Sequence, residues 1–138
     1  GQSSIQAQWL KEKLAVSTSP WKIIYMHQPP YSSAHHGPTN WIQWPFKEWG
    51  ATAVLAGHDH VYERLIINNL PYFVNGLGGS PSIYWFESPL EGSQLRYRDD
   101  NGAMLVTATS EEITFEFITR TGALIDSYTI YNEGVPDP

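Results

Sequence analysis

Ala51-Thr52-Ala53-Val54-Leu55-Ala56-Gly57-His58-Asp59-His60 is the stretch that decides how this chain folds. A short apolar run that stops at a glycine reads as a buried strand. An earlier stretch repeats the pattern, with Trp21-Lys22-Ile23-Ile24-Tyr25-Met26 running into His27-Gln28-Pro29-Pro30-Tyr31. Proline cannot donate to a sheet ladder, so this first strand must end near His27. Ahead of it, Ser3 or Ser4 caps a helix in which Ile5, Trp9, Leu10 and Leu14 recur at helical spacing, and Ser17 to Pro20 ends it. Between the strands, residues 32–40 read as loop and Trp41 to Trp49 as a short helix interrupted by Pro45. Two helix–strand units therefore each deliver a histidine just past the carboxyl end of a strand. In open α/β sheets ligands bind there, and two neighbouring parallel strands would put both loops on one edge.

Beyond His60 the pattern changes. Tyr62 to Asn68 and Tyr72 to Asn75 read as a hairpin across Asn68-Asn69-Leu70-Pro71, and Gly76 to Pro81 as an irregular loop. Residues 86–101 are polar and read as a long excursion. Ala103 to Ala108, Ile113 to Ile118 and Leu124 to Tyr131 alternate as strands do, with turn chemistry at Arg120-Thr121-Gly122. The tail Gly134 to Pro138 is expected to be loose. The fold class is α/β, a mixed sheet plus an antiparallel strand meander, in a single unit over residues 1–138.

Composition narrows the function. The chain has 138 residues, enough for one domain that buries roughly two thirds of its unfolded surface. It has six Trp, eight Tyr and five Phe, and no low-complexity tract. A net charge of −6 argues against duplex nucleic-acid binding, which needs a basic face. An anionic substrate is compatible with that charge, because bound cations would dominate the local field. The apolar runs are far too short to span a membrane. With no cysteine there is no disulfide, thiolate zinc site or cysteine nucleophile.

All five histidines fall between His27 and His60. Neutral imidazole is the commonest metal ligand. Taken alone, His58 and His60 read equally well as part of a solvated loop. Joined with His27, they read as a metal site. Gly57 is expected to permit the sharp exit from the strand. His35-His36 reads either as a mobile surface pair or as a substrate contact able to hydrogen-bond an anionic oxygen or protonate a leaving group. Asp59 is expected to orient a ligand imidazole. Glu63 and Arg64 read as a structural ion pair, and Tyr31, Tyr62 and the tryptophans as core and pocket wall.

Spacing separates this pattern from other paired-histidine sites. A metzincin-type site needs His-Glu-x-x-His on a helix. A cupin-like barrel wants a glutamate further from the pair than Glu63, and a metallo-β-lactamase-type site wants Asp-His where Val61-Tyr62 stands. Gly76-Leu77-Gly78-Gly79 is not a nucleotide fingerprint, and no GxSxG elbow is present.

The strand ending in His27-Gln28-Pro29-Pro30-Tyr31-Ser32-Ser33, with the strand ending in Gly57-His58-Asp59-His60-Val61-Tyr62-Glu63-Arg64, resembles the calcineurin-like metallophosphoesterases. The Tyr62-Glu63-Arg64 extension, the His35-His36 pair, the Gln8-Trp9-Leu10 helix and Gly78-Gly79 look most like the purple acid phosphatase branch. The resemblance implies a four-layer α/β/β/α sandwich and a dinuclear centre of divalent or trivalent ions (Fe, Zn or Mn). It implies that His27 and His58 bind one metal and His60 the other. It sets His35 and His36 against the substrate phosphate and leaving group. Two cations would clamp the phosphoryl oxygens and generate hydroxide for in-line attack. An extracellular or periplasmic location goes with the same resemblance.

The family's earlier metal-binding motifs, Asp-x-His, Gly-Asp and Gly-Asn-His, do not occur here, and neither does its metal-binding tyrosine. The resemblance therefore implies the C-terminal half of a catalytic domain, whose partner is the missing N-terminal half. The expected activity is acid phosphatase-like hydrolysis of phosphate esters by the longer protein. The isolated chain is expected to bind one ion or none and to be inactive. The competing reading is a non-catalytic, phosphatase-derived binding or interaction module. A weaker one is a carbohydrate-binding domain built on the tryptophans.

Overall fold

The computed structural model describes residues 1–132, so the tail expected to be loose, Gly134 to Pro138, lies outside the described residues. The elements run α1 (Ile5–Val16), β1 (Ile23–Met26), β2 (Ala53–Ala56), β3 (Tyr62–Ile67), β4 (Leu70–Asn75), β5 (Ser93–Tyr97), β6 (Gly102–Ala108), β7 (Glu112–Thr119) and β8 (Leu124–Tyr131). One sheet has the order β1-β2-β4-β3-β5 and mixes parallel with antiparallel pairs, and the other is an antiparallel meander β6-β7-β8. Of the four layers expected, the described residues form three: α1, the mixed sheet and the meander.

Ser4 caps α1 by accepting the Ala7 N–H at 3.2 Å. The buried stripe differs from the one expected. Ala7 and Leu14 are buried and Leu10 packs beside them, while Ile5 and Trp9 are exposed at 88% and 55%. At 100° per residue, Ile5 and Trp9 lie on the side opposite Ala7 and Leu14.

Leu14, Ile24, Phe46, Val54, Leu65 and Val74 fill the layer between α1 and the mixed sheet. On the sheet's other face, Ala53, Tyr62, Phe73 and Leu77 meet Ile113, Phe115 and Phe117 of β7. Strand alternation sends neighbours such as Ala53 and Val54 to opposite layers. Tyr62 stacks on Phe117 at 4.2 Å and Phe73 on Phe115 at 4.8 Å, contacts worth about 0.5–1.5 kcal/mol each beyond the area they bury.

Three expectations change. Trp41 to Trp49 forms only a short 3-10 turn at Asn40–Ile42, followed by turns. Pro45 has no N–H and disfavours helix in the residue before it. The hairpin between β3 and β4 turns on two residues, Asn68 and Asn69, with φ of 50° and 58°. Both central residues at positive φ is the geometry that matches strand twist, so Leu70 and Pro71 belong to β4. The polar excursion after Phe86 also contains β5, which pairs antiparallel with β3 through an irregularity at Arg64/Leu65.

The expected parallel neighbours are present. Ile23 to Met26 of β1 align residue by residue with Ala53 to Ala56 of β2. The ladder extends one step further, where the Gly57 N–H donates to the His27 carbonyl at 3.1 Å. This pairing brings the two histidine loops together.

Candidate functional site

His27 and His58 meet at the carboxyl ends of β1 and β2. His58 Nδ1 and His27 Nε2 are 3.1 Å apart, one donating to the other, and the rings meet edge to face with centroids 4.9 Å apart. His36 lies over the same place, its ring 4.5 Å from that of His58 and 4.9 Å from that of His35. His60 turns to a different partner. Its Nδ1 donates to the Ser82 carbonyl at 2.7 Å and its ring stacks on Tyr84 at 4.2 Å. A carbonyl can only accept, so Nδ1 of His60 carries the proton and, in the neutral ring, Nε2 keeps the lone pair. That tautomer leaves Nε2 of His60 free to act as a metal ligand.

The sharp backbone sits one residue later than expected. Gly57 does not have positive φ, whereas His58 has φ +65°. Histidine enters the left-handed region more readily than most residues, at a cost of about 1–2 kcal/mol. Burial and the neighbouring His36 and His27 rings lower the His58 pKa below its ordinary value, with the Asp59 carboxylate acting against them. The neutral, ligand-competent imidazole is thereby favoured.

Asp59 and Glu63 do not take the roles their positions suggest. Asp59 is fully buried and accepts the Ser32 hydroxyl and the His36 backbone N–H, so it holds a loop and not a ligand ring. Glu63 and Arg64 do not pair, because adjacent residues of β3 face opposite sides. Glu63 accepts the Ser33 N–H at 2.8 Å and the Ser93 hydroxyl at 2.7 Å. Arg64 instead grips Asp126 of β8 through two N–H groups at 2.7 and 3.1 Å, and the Tyr62 hydroxyl donates to the same carboxylate at 2.8 Å.

Tryptophan was expected in the pocket wall, but the sequence did not mark which aromatic residues form it. Tyr84 touches His35, His36 and His60, and Trp85 lies 4.2 Å from His35. A backbone bond from the Tyr84 N–H to the His60 carbonyl, at 3.1 Å, holds this segment in place. Nothing local in Ile83-Tyr84-Trp85-Phe86 marks it as a partner of histidines more than twenty residues earlier.

Two imidazole nitrogens around a tetrahedral ion, each at about 2.1 Å from it, stand about 3.4 Å apart. The facing nitrogens of His27 and His58 stand near that spacing, and both can ligate once the proton between them is released. Among the described residues no group of three or more His, Cys, Asp or Glu is placed to hold a metal ion. Also among the described residues, no helix is long and apolar enough to cross a membrane.

Residues 2–62 match the family model described as calcineurin-like phosphoesterase. The chain is 30% identical over 129 residues to a tartrate-resistant acid phosphatase type 5 of Homo sapiens, covering 85% of this chain and 39% of that protein. It is 39% identical over 84 residues to an Fe(3+)-Zn(2+) purple acid phosphatase 12 of Arabidopsis thaliana, covering 52% of this chain and 18% of that one. Among solved structures, GAP50, titled the anchor in the inner membrane complex of Plasmodium, superposes with a TM-score of 0.74 at 20% identity. That likeness covers 90% of this chain and 41% of GAP50, and it is one of fold. The chain spans well under half the length of each of these proteins. With its histidine motifs, its two facing sheets and these relatives taken together, the chain belongs to the calcineurin-like phosphoesterase superfamily, on the purple acid phosphatase-like branch.

Proposed function

We propose that this chain forms the histidine-bearing part of a metal-dependent phosphoester hydrolase, and that the longer protein, not the isolated chain, is the catalyst. The observation that carries the reading is the 3.1 Å approach of His27 Nε2 and His58 Nδ1 at adjacent strand ends. In this reading His27 and His58 hold one ion and His60 contributes to a second, of the Fe, Zn or Mn kind. Such ions would supply Lewis-acid neutralisation of phosphoryl charge.

The remaining work falls to the chain's own groups. Burial holds His58 toward its neutral form. The Ser82 carbonyl sets the His60 tautomer. His35 and His36, both exposed, offer ring N–H groups to an anionic ester oxygen or to a departing alkoxide. The rest of the ligand set belongs to an N-terminal half of the same catalytic domain, with residues 1–138 as one unit of it. An extracellular or periplasmic setting goes with this reading.

Calorimetric titration of the chain with Zn²⁺ tests the ligand pair, with weak binding expected and its loss in His27→Ala and His58→Ala. The longer protein should release nitrophenol from an aryl phosphate only with metal present. An unchanged rate in both His58→Ala and His60→Ala would overturn the reading. The competing reading is a non-catalytic, phosphatase-derived module. A metal-free longer protein that hydrolyses nothing would decide for that alternative.

A further inference from the structure

Two buried carboxyl groups flank the histidine cluster, and among the described residues neither forms an ion pair. Burying such a group without a counter-charge is costly unless directed hydrogen bonds compensate. Among the described residues, both donors to Asp59 and one of the two to Glu63 come from the segment that runs from β1 through the His35-His36 pair. Asp59 Oδ1 takes the His36 N–H at 3.1 Å, and Oδ2 takes the Ser32 hydroxyl. That hydroxyl oxygen in turn accepts the Ala34 N–H at 3.1 Å. Glu63 Oε2 takes the Ser33 N–H at 2.8 Å. The Ser33 hydroxyl accepts from the Leu90 N–H at 2.9 Å, so the segment is also tied to the chain beyond the aromatic wall.

The segment has almost no regular structure of its own. Its one strand-like contact is an isolated bridge from Ala34 to Phe86. The two carboxyl groups come from the stretch that follows β2, and they grip the stretch that follows β1. Asp59 is also the residue after His58. One short run therefore fixes both His58 and the loop whose His36 ring lies over it.

We propose that Asp59 and Glu63 are positioning residues that pin the His35–His36 loop over the His27–His58 pair. The proposal rests on the reading of that cluster as a phosphoester site, but the placement it claims can be measured without any substrate. A hydroxyl and two backbone N–H groups are directional donors, so their acceptors fix where the loop sits. An apolar filling would bury the same volume and leave the loop free to shift.

The test is amide hydrogen exchange and ring-to-ring NMR contacts in the chain without metal. Asp59→Ala should speed exchange at His36 and Ala34 by about tenfold or more, the loss expected for one or two hydrogen bonds. It should also abolish the His36–His58 ring contact, while amides of β2 and β4 keep their protection. Asp59→Asn should restore the contact, because its amide oxygen still accepts the His36 N–H and its NH₂ can donate to Ser32 Oγ. Glu63→Ala should speed exchange at Ser33 in the same way. Unchanged His36 exchange and an intact ring contact in Asp59→Ala overturn the proposal. So does an Asn variant that behaves like Ala, because the loss would then be general loosening. If Asp59→Ala does not fold, Ser32→Ala serves in its place: faster exchange at Ala34 and His36 supports the proposal, and no change overturns it. None of these outcomes depends on zinc binding or hydrolysis, so this proposal and the functional reading can fail separately.

Discussion

Gly76 lies so close against the carbonyl of Asp59 that no side chain fits between them. The Gly76 N–H also donates to the Val61 carbonyl at 3.0 Å, so the chain leaving β4 is laid directly along the His58–His60 loop. The atoms in the way are backbone and cannot swing aside. Gly76→Ala should therefore cost about 1–3 kcal/mol, as overpacking of a tight site does. A melting temperature lower by about 4–10 °C is the expected readout. A variant that melts like the parent would show that the loop has another place to go.

His58 itself is expected to be strained. Its φ of +65° suits glycine and penalises a residue with a Cβ. His58→Gly should be more stable than His58→Ala by about 1 kcal/mol, although both lose the imidazole. Paired urea titrations would show this, and equal midpoints would count against strain at this position.

Asp126 is expected to be the main polar tie between the sheets. It is 6% exposed and receives Tyr62 and both contacting N–H groups of Arg64, whose guanidinium also lies 4.8 Å from the Tyr128 ring. Asp126→Ala strands a partly buried guanidinium, and about 3 kcal/mol should be lost. Replacing both partners, with Arg64→Met added to Asp126→Leu, should recover much of that. A double variant no better than Asp126→Ala would speak against a stranded charge as the cause.

Alkaline pH should loosen the core in a defined direction. Burial raises the pKa of Tyr62 and Tyr72 above the ordinary tyrosine value, and for Tyr62 the Asp126 carboxylate adds to it. The folded chain then holds protons that the unfolded chain releases near pH 10. The stabilisation is complete below about pH 10 and declines as pH rises beyond it. Melting temperature followed from pH 8 to 11 should fall more steeply for the parent than for the double variant Tyr62→Phe and Tyr72→Phe. Parallel curves would contradict the assignment.

The parts of the fold written locally were legible in the sequence. Ile23 to Met26 and Ala53 to Ala56 end at proline and glycine punctuation. Parallel pairing of two such strands is enough to bring His27 to His58. Strand β5 was hidden because Ser93-Gln94-Leu95-Arg96-Tyr97 is polar and only half-buried, and its place depends on β3 some thirty residues away. That Glu63 and Arg64 do not pair was within reach, because side chains alternate along a strand and that sends the two to opposite faces. Tyr84 and Trp85 were not, since their contacts with His60 and His35 follow from how a long loop returns across the site. The same holds for Ser82, which serves through its backbone carbonyl, a group every residue carries.

Three successive residues of β3 divide their labour by parity: Tyr62 and Arg64 bind the meander, and Glu63 between them anchors the histidine-bearing loop. A one-residue register slip along this strand would exchange those faces and break both attachments together. A slipped pairing of β3 is therefore disfavoured on both faces of the sheet at once, so this strand carries its own safeguard of register.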